Sequence, residues 1–296
     1  MSKSLPVALV LFTALARLAG QTMSTDARLV LVPVSVTDSR GATVTGLERG
    51  NFTLFEDKRP RDIVAFSAED SPLSAGLVFD ISGSMRGKLD LAKSTLRAFA
   101  DNANATDEAF LFTVSSRPGA SSGFTTDLSS LAEEASFLKA AGDTALIDTV
   151  YEGLERMRSA SHARRVLLIL SDGMDNHSRR SRSELMRMAQ EANVQVYAIA
   201  IDARVRTGKA LEQQDAQRGL AFLQDLADNT GGLRFIVSDR DDPRSVIARA
   251  ILSMRNQYLL AYRPAQPVQP GKWHRIRVKL NVAHTNVSAR NGYSWQ

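Results

Sequence analysis

At 296 residues, with 44% hydrophobic and 23% charged residues, the chain is long enough for one large domain or two smaller ones and has the composition of a protein with a core. It contains no cysteine, which excludes disulfide staples, thiol catalysis and cysteine metal sites together. A formal net charge of +5 is mild and gives no argument for a nucleic-acid partner.

The first twenty residues carry Lys3, an apolar stretch from Leu5 to Leu15, and small residues at Ala14, Ala16, Ala19 and Gly20. That order of charge, apolar run and small residues is the pattern of a secretory signal peptide, with the mature end expected between Arg17 and Met23. The apolar run is too short for a permanent membrane span and no other segment approaches the needed length, so the expected location is secreted or periplasmic.

Residues 21–72 read as an amino-terminal β segment, the pattern changing to a period of two from about Ala27 to Glu69. Val30, Val32, Val34 and Val36 fall on one face, Asp38-Ser39-Arg40-Gly41 makes a turn, and Phe52–Phe55 and Ile63–Phe66 read as further strands. Ser71-Pro72 marks a boundary. Residues 73–257 then alternate strand and helix, the pattern of a doubly wound, mostly parallel sheet. Strand candidates are Leu77–Phe79, Ala109–Val114, Val166–Leu170, Val194–Ile201 and Leu233–Val237. Helical patterns cover Lys88–Asn102, Leu128–Ala140, Ala145–Met157, Ser183–Asn193, Leu220–Asn229 and Pro243–Asn256. Ser121–Thr126 is expected to form an antiparallel edge strand, and the polar, aperiodic Asp202–Arg218 to form a surface loop.

Within this region an apolar strand ends in Asp80-Ile81-Ser82-Gly83-Ser84. One carboxylate and two hydroxyls would gather at the carboxyl end of a strand, the edge where open α/β sheets bind ligands. Such hard oxygen donors suit magnesium, manganese or calcium and not zinc or copper. Gly142-Asp143-Thr144 precedes a helix, and Leu168–Leu170 is a second apolar strand, ending in Ser171-Asp172-Gly173. Each loop taken singly is also consistent with ordinary capping and turn residues.

These three loops in this order resemble the metal-ion-dependent adhesion site of the von Willebrand factor type A domain family. The resemblance implies that Asp80, Ser82, Ser84, Thr144 and Asp172 together hold one divalent cation, magnesium first and manganese or calcium otherwise. It also implies a protein partner that offers an Asp or Glu carboxylate to that cation. Asp143 is a departure, since family members often carry glycine there. Val36-Thr37-Asp38, Gly46-Leu47, Phe52-Thr53-Leu54-Phe55-Glu56-Asp57 and the closing Ala289-Arg290-Asn291-Gly292-Tyr293 further resemble a group of acidobacterial von Willebrand A-like proteins.

In residues 258–296 the period of two returns: Tyr258, Leu260 and Tyr262 share one face, and Ile276, Val278 and Leu280 share another, opposite Arg275, Arg277 and Lys279. The basic stripe reads as a solvated strand face. Neither terminal segment supplies enough strands to stand alone, so one small β-sandwich built from both, with the α/β region inserted between them, is expected.

Enzymatic readings are weaker. His162, His177, His274 and His284 form no zinc-binding pair, and no nucleophile elbow or phosphate-binding loop is present. A phosphotransferase using Asp80 would want a second acid where Ser82 stands. The expectation is therefore a non-enzymatic adhesion-type module, with a metal-independent envelope scaffold as the alternative.

Overall fold

The computed structural model describes residues 29–68, 70–120, 123–201, 210–238, 240–265 and 271–294. The expected signal peptide, residues 1–20, lies outside them.

The amino-terminal segment forms β1 (Val30–Asp38), β2 (Phe52–Glu56), β3 (Arg59–Arg61) and β4 (Ile63–Ser67). The central region runs β5 (Leu73–Asp80), α1 (Leu89–Asp101), β6 (Glu108–Val114), β7 (Gly119–Ala120), α2 (Leu128–Ser136), α3 (Leu146–Arg156), β8 (Arg164–Ser171), α4 (Arg182–Glu191), β9 (Gln195–Ile201), α5 (Ala210–Thr230), β10 (Arg234–Val237) and α6 (Pro243–Arg255). The chain closes with β11 (Tyr258–Tyr262), β12 (Trp273–Leu280), β13 (Thr285–Ala289) and β14 (Gly292–Ser294).

The central sheet has the order β10-β9-β8-β5-β6-β7, parallel except for the short antiparallel edge β7. Every residue of β5 is buried, as expected of a strand covered by helices on both faces. One face packs Leu77, Phe79, Leu168 and Ile199 against α1, α2 and α6; the other packs Val78, Phe110, Ile169 and Ala198 against α3, α4 and α5. The helices begin at local signals. Asp127 accepts from the Ser130 amide at the start of α2, Ser181 and Glu184 make a reciprocal capping box on α4, and Asp242 with Pro243 opens α6.

Two further four-stranded sheets have the orders β13-β1-β11-β4 and β14-β12-β2-β3. Each combines strands from both ends of the chain: they alternate in the first sheet, and in the second the carboxyl-terminal pair β14-β12 joins the amino-terminal pair β2-β3 through β12 and β2. Val30, Val32, Val34, Val36, Leu260 and Tyr262 from one sheet and Phe52, Leu54, Ile276 and Tyr293 from the other share one buried cluster, with Val278 and Leu280 packed against it. The split β-sandwich is thus present, and Arg275, Arg277 and Lys279 are exposed on the outer face of β12. Pro33 lies opposite Leu259 of β11, one residue before the pairing of β1 with β13 begins at Val34, so its missing amide removes no rung on the β13 side. Sandwich and α/β unit are joined at Tyr197 of β9: its buried hydroxyl lies 3.0 Å from that of Ser35 on β1 and accepts from the Gln257 amide at 2.8 Å.

Three expectations are corrected. Residues 210–218 of the expected surface loop are the first half of α5, while 202–209 lie outside the described residues. The edge strand is Gly119–Ala120; of Ser121–Thr126, residues 121 and 122 are outside the described set and Thr125 makes only an isolated bridge to Ala109. Helix α2 stops at Ser136 instead of Ala140, the chain turning at Phe137, which is exposed.

Candidate metal site

Strands β5 and β8 are neighbours, with Phe79 opposite Leu170, so Asp80 and Ser171 emerge side by side at the carboxyl edge. The Ser171 hydroxyl donates to Asp80 Oδ2 at 2.6 Å, and the Ser82 amide donates to Asp80 Oδ1 at 2.9 Å. Asp80 and Ser82 are fully buried, whereas Ser84 is exposed, and the two serine hydroxyls are hydrogen-bonded to each other, Ser82 Oγ and Ser84 Oγ lying 3.0 Å apart. Burial pushes the Asp80 carboxyl up to about 6, the negative charge of Asp172 adds to the rise, and the hydrogen bonds from Ser171 and Ser82 work against it.

The second loop is stitched to the first by the Gly83 amide donating to the Gly142 carbonyl at 2.9 Å and the Ala141 amide donating to the Ile81 carbonyl at 2.8 Å. Gly142 adopts a φ of 80°, which a side chain would strain. The third loop is stitched to the second: the amides of Asn176 and His177 donate to the Thr144 carbonyl, each at 3.0 Å, and the Thr144 amide donates to Asn176 Oδ1 at 2.8 Å. Asp175 Oδ2 accepts from the Ile147 amide in the first turn of α3 and from the Ser178 hydroxyl. Behind this loop Gly173, at φ 79°, packs directly on Gly219 of α5, with no room for a Cβ on either residue.

Asp172 is buried and both its oxygens are engaged. Oδ1 accepts from the Met174 amide at 3.1 Å, and Oδ2 pairs with the Lys88 ammonium at 2.8 Å. Asp143 is exposed beside His177, 3.6 Å from its ring nitrogen, so the extra carboxylate stands at the rim.

All five expected residues therefore lie on three mutually bonded loops at one sheet edge. Ser171, Asn176 and Lys88, which support them, have no signal of their own in the local sequence. The donor set fits a hard divalent cation. It is all oxygen, two carboxylates and three hydroxyls, and the nearly buried Thr144 hydroxyl makes no hydrogen bond among the described residues. No cluster of three or more His, Asp or Glu placed to hold a metal occurs among the described residues, so hydroxyls have to supply the remaining protein oxygens.

Residues 77–174 match the family model of the von Willebrand factor type A domain. The von Willebrand A match begins inside β5 and ends just past β8, and it contains Asp80, Ser82, Ser84, Thr144 and Asp172. No curated protein matches the chain. Among solved structures, an aerotolerance-related membrane protein from Bacteroides fragilis is similar at 14% identity over 62% of this chain and 98% of that one, with a TM-score of 0.49. A von Willebrand factor type A protein from Catenulispora acidiphila is similar at 13% identity over 90% of this chain and 74% of that one, with a TM-score of 0.46. Proximal thread matrix protein 1 from the mussel byssus, solved with a zinc-occupied metal-ion-dependent adhesion site, is similar at 15% identity over 67% of this chain and 49% of that one, with a TM-score of 0.48.

Proposed function

We propose that this chain is an exported, divalent-cation-dependent protein-binding module of the adhesion type. The observation that carries the reading is the bonding of three loops, distant in sequence, into one oxygen-lined edge with two buried carboxylates. Asp80 and Asp172 would hold magnesium, manganese or calcium with Ser82, Ser84 and Thr144. When bound, the cation supplies an electrophilic position for a carboxylate of a partner protein. The chain's own part is to fix the oxygens: Ser171 and the Ser82 amide orient Asp80, Asn176 fixes Thr144, and Met174 fixes Asp172. Preformed donors need no reorganisation when a partner docks, which favours affinity.

Export rests on the Lys3 and Leu5–Leu15 pattern at the start of the chain. No helix among the described residues is long and apolar enough to cross a membrane. A phosphotransferase is disfavoured because Asp80 is fully buried with both oxygens engaged.

A second reading, a metal-independent scaffold, is favoured by one observation: Asp172 already has a cationic partner in Lys88. Affinity capture with the mature chain, in magnesium and in chelator, separates the two. Partners retained in magnesium and lost in chelator support the adhesion reading, and the same partners in both support the scaffold.

A further inference from the structure

The Lys88–Asp172 pair points to a control built into the site. Lys88 immediately precedes α1 and belongs to the same loop as Ser82 and Ser84; its amide donates to the Met85 carbonyl at 2.8 Å, which fixes its backbone. Its side chain reaches back to the third loop and is one-fifth exposed, while Asp172 is nearly closed off. The sheet edge thus brings two carboxylates together and sets one ammonium against them. A divalent cation and this ammonium are like charges directed at one carboxylate whose other oxygen is taken by the Met174 amide.

We propose that Lys88 is an internal competitor for the divalent cation, its ammonium occupying Asp172 in the metal-free protein and having to withdraw for the metal to be bound tightly. The inference rests on the cation-site reading above. The flexible four-carbon stem and the partial exposure of Lys88 give the ammonium a route to solvent without movement of α1. Lys88 then sets the metal concentration at which the module becomes able to bind. It is also the reason the metal-free loops tolerate two neighbouring carboxylates.

Manganese binding, measured by calorimetry on the full mature chain, tests this with Lys88→Met and Lys88→Arg. Lys88→Met is expected to bind manganese about tenfold more tightly than the unaltered chain, and Lys88→Arg, which keeps the charge, to show no such gain. Melting in chelator gives the second readout. Lys88→Met is expected to melt lower than the unaltered chain there, because Asp172 loses its counter-charge, so affinity and metal-free stability move in opposite directions. A purely structural role for Lys88 predicts that both fall. Manganese binding by the unaltered chain that Lys88→Met leaves equal or weaker overturns the competition and leaves the metal site standing. Binding seen only in Lys88→Met supports competition in its strongest form. Absence of binding in both chains overturns the cation-site reading and the competition with it.

Discussion

Tyr293, in the last strand, donates its hydroxyl to Glu56 Oε1 at 2.7 Å, placing a carboxylate from β2 in the middle of the sandwich. The Tyr262 hydroxyl reaches the same oxygen at 3.2 Å, and Arg61 and the Ala265 amide bond Oε2 at 2.8 and 3.0 Å. Burial pushes the Glu56 carboxyl up, but the Tyr293, Ala265 and Arg61 bonds outweigh it and hold it below its ordinary value of 4.5. A lowered pKa contributes stability that is present above about pH 4.5 and is lost as the pH falls through the folded-state value. The melting temperature is therefore expected to fall below pH 4.5, and Glu56→Gln to flatten that fall. Tyr293→Phe should cost about 1.5–3 kcal/mol at neutral pH, measured by denaturant unfolding.

Metal removal is the direct check on the loop edge. Saturating magnesium or manganese should raise the melting temperature, since a ligand at a hundredfold excess over its Kd stabilises the folded state by about 2.7 kcal/mol. Asp80→Ala should abolish the shift while leaving a cooperative transition. A melting curve that does not respond to either metal would refute the site.

The Asn176 side chain bridges two loops through one hydrogen bond, accepted from the Thr144 amide. Asn176→Ala is expected to weaken manganese binding by about tenfold through a displaced Thr144, with little change in the metal-free melting temperature. Equal affinity in calorimetry would mean that Thr144 is held without it.

Deleting residues 258–296 removes both neighbours of β1, β11 and β13, and takes β12 and β14 from the side of β2. The remaining valine face should be exposed, so limited proteolysis is expected to cut within residues 29–67 of the truncated chain and to spare them in the full chain. Undiminished protection would contradict the shared sandwich.

The sandwich was legible because it rests on a local pattern, the valines at alternate positions of β1, whereas the five candidate ligands were named by the resemblance of three loops, which the fold brings to one sheet edge. Residues 210–218 were not legible, because Gln213, Gln214, Asp215 and Gln217 form a polar helix surface with no apolar period, and that half of α5 is continuous with a half that packs on the sheet through Phe222, Leu223 and Leu226. Lys88, Ser171 and Asn176 were not either. Their partners Asp172, Asp80 and Thr144 lie 84, 91 and 32 positions away, so only the folded sheet edge brings them together.

The interleaving of the two chain ends has a consequence for the order of biosynthesis. Val34 pairs with Tyr258 and Ala289, so β1 emerges from the ribosome long before either neighbour exists. Until then it is an apolar, β-branched strand with two open edges, the kind of segment that recruits a copy of itself. Pro33 interrupts it at a place where the finished sheet loses nothing on the β13 side. In the waiting chain the same residue denies a would-be partner one rung of the ladder, making β1 a poorer template for aggregation during the interval before its own strands arrive.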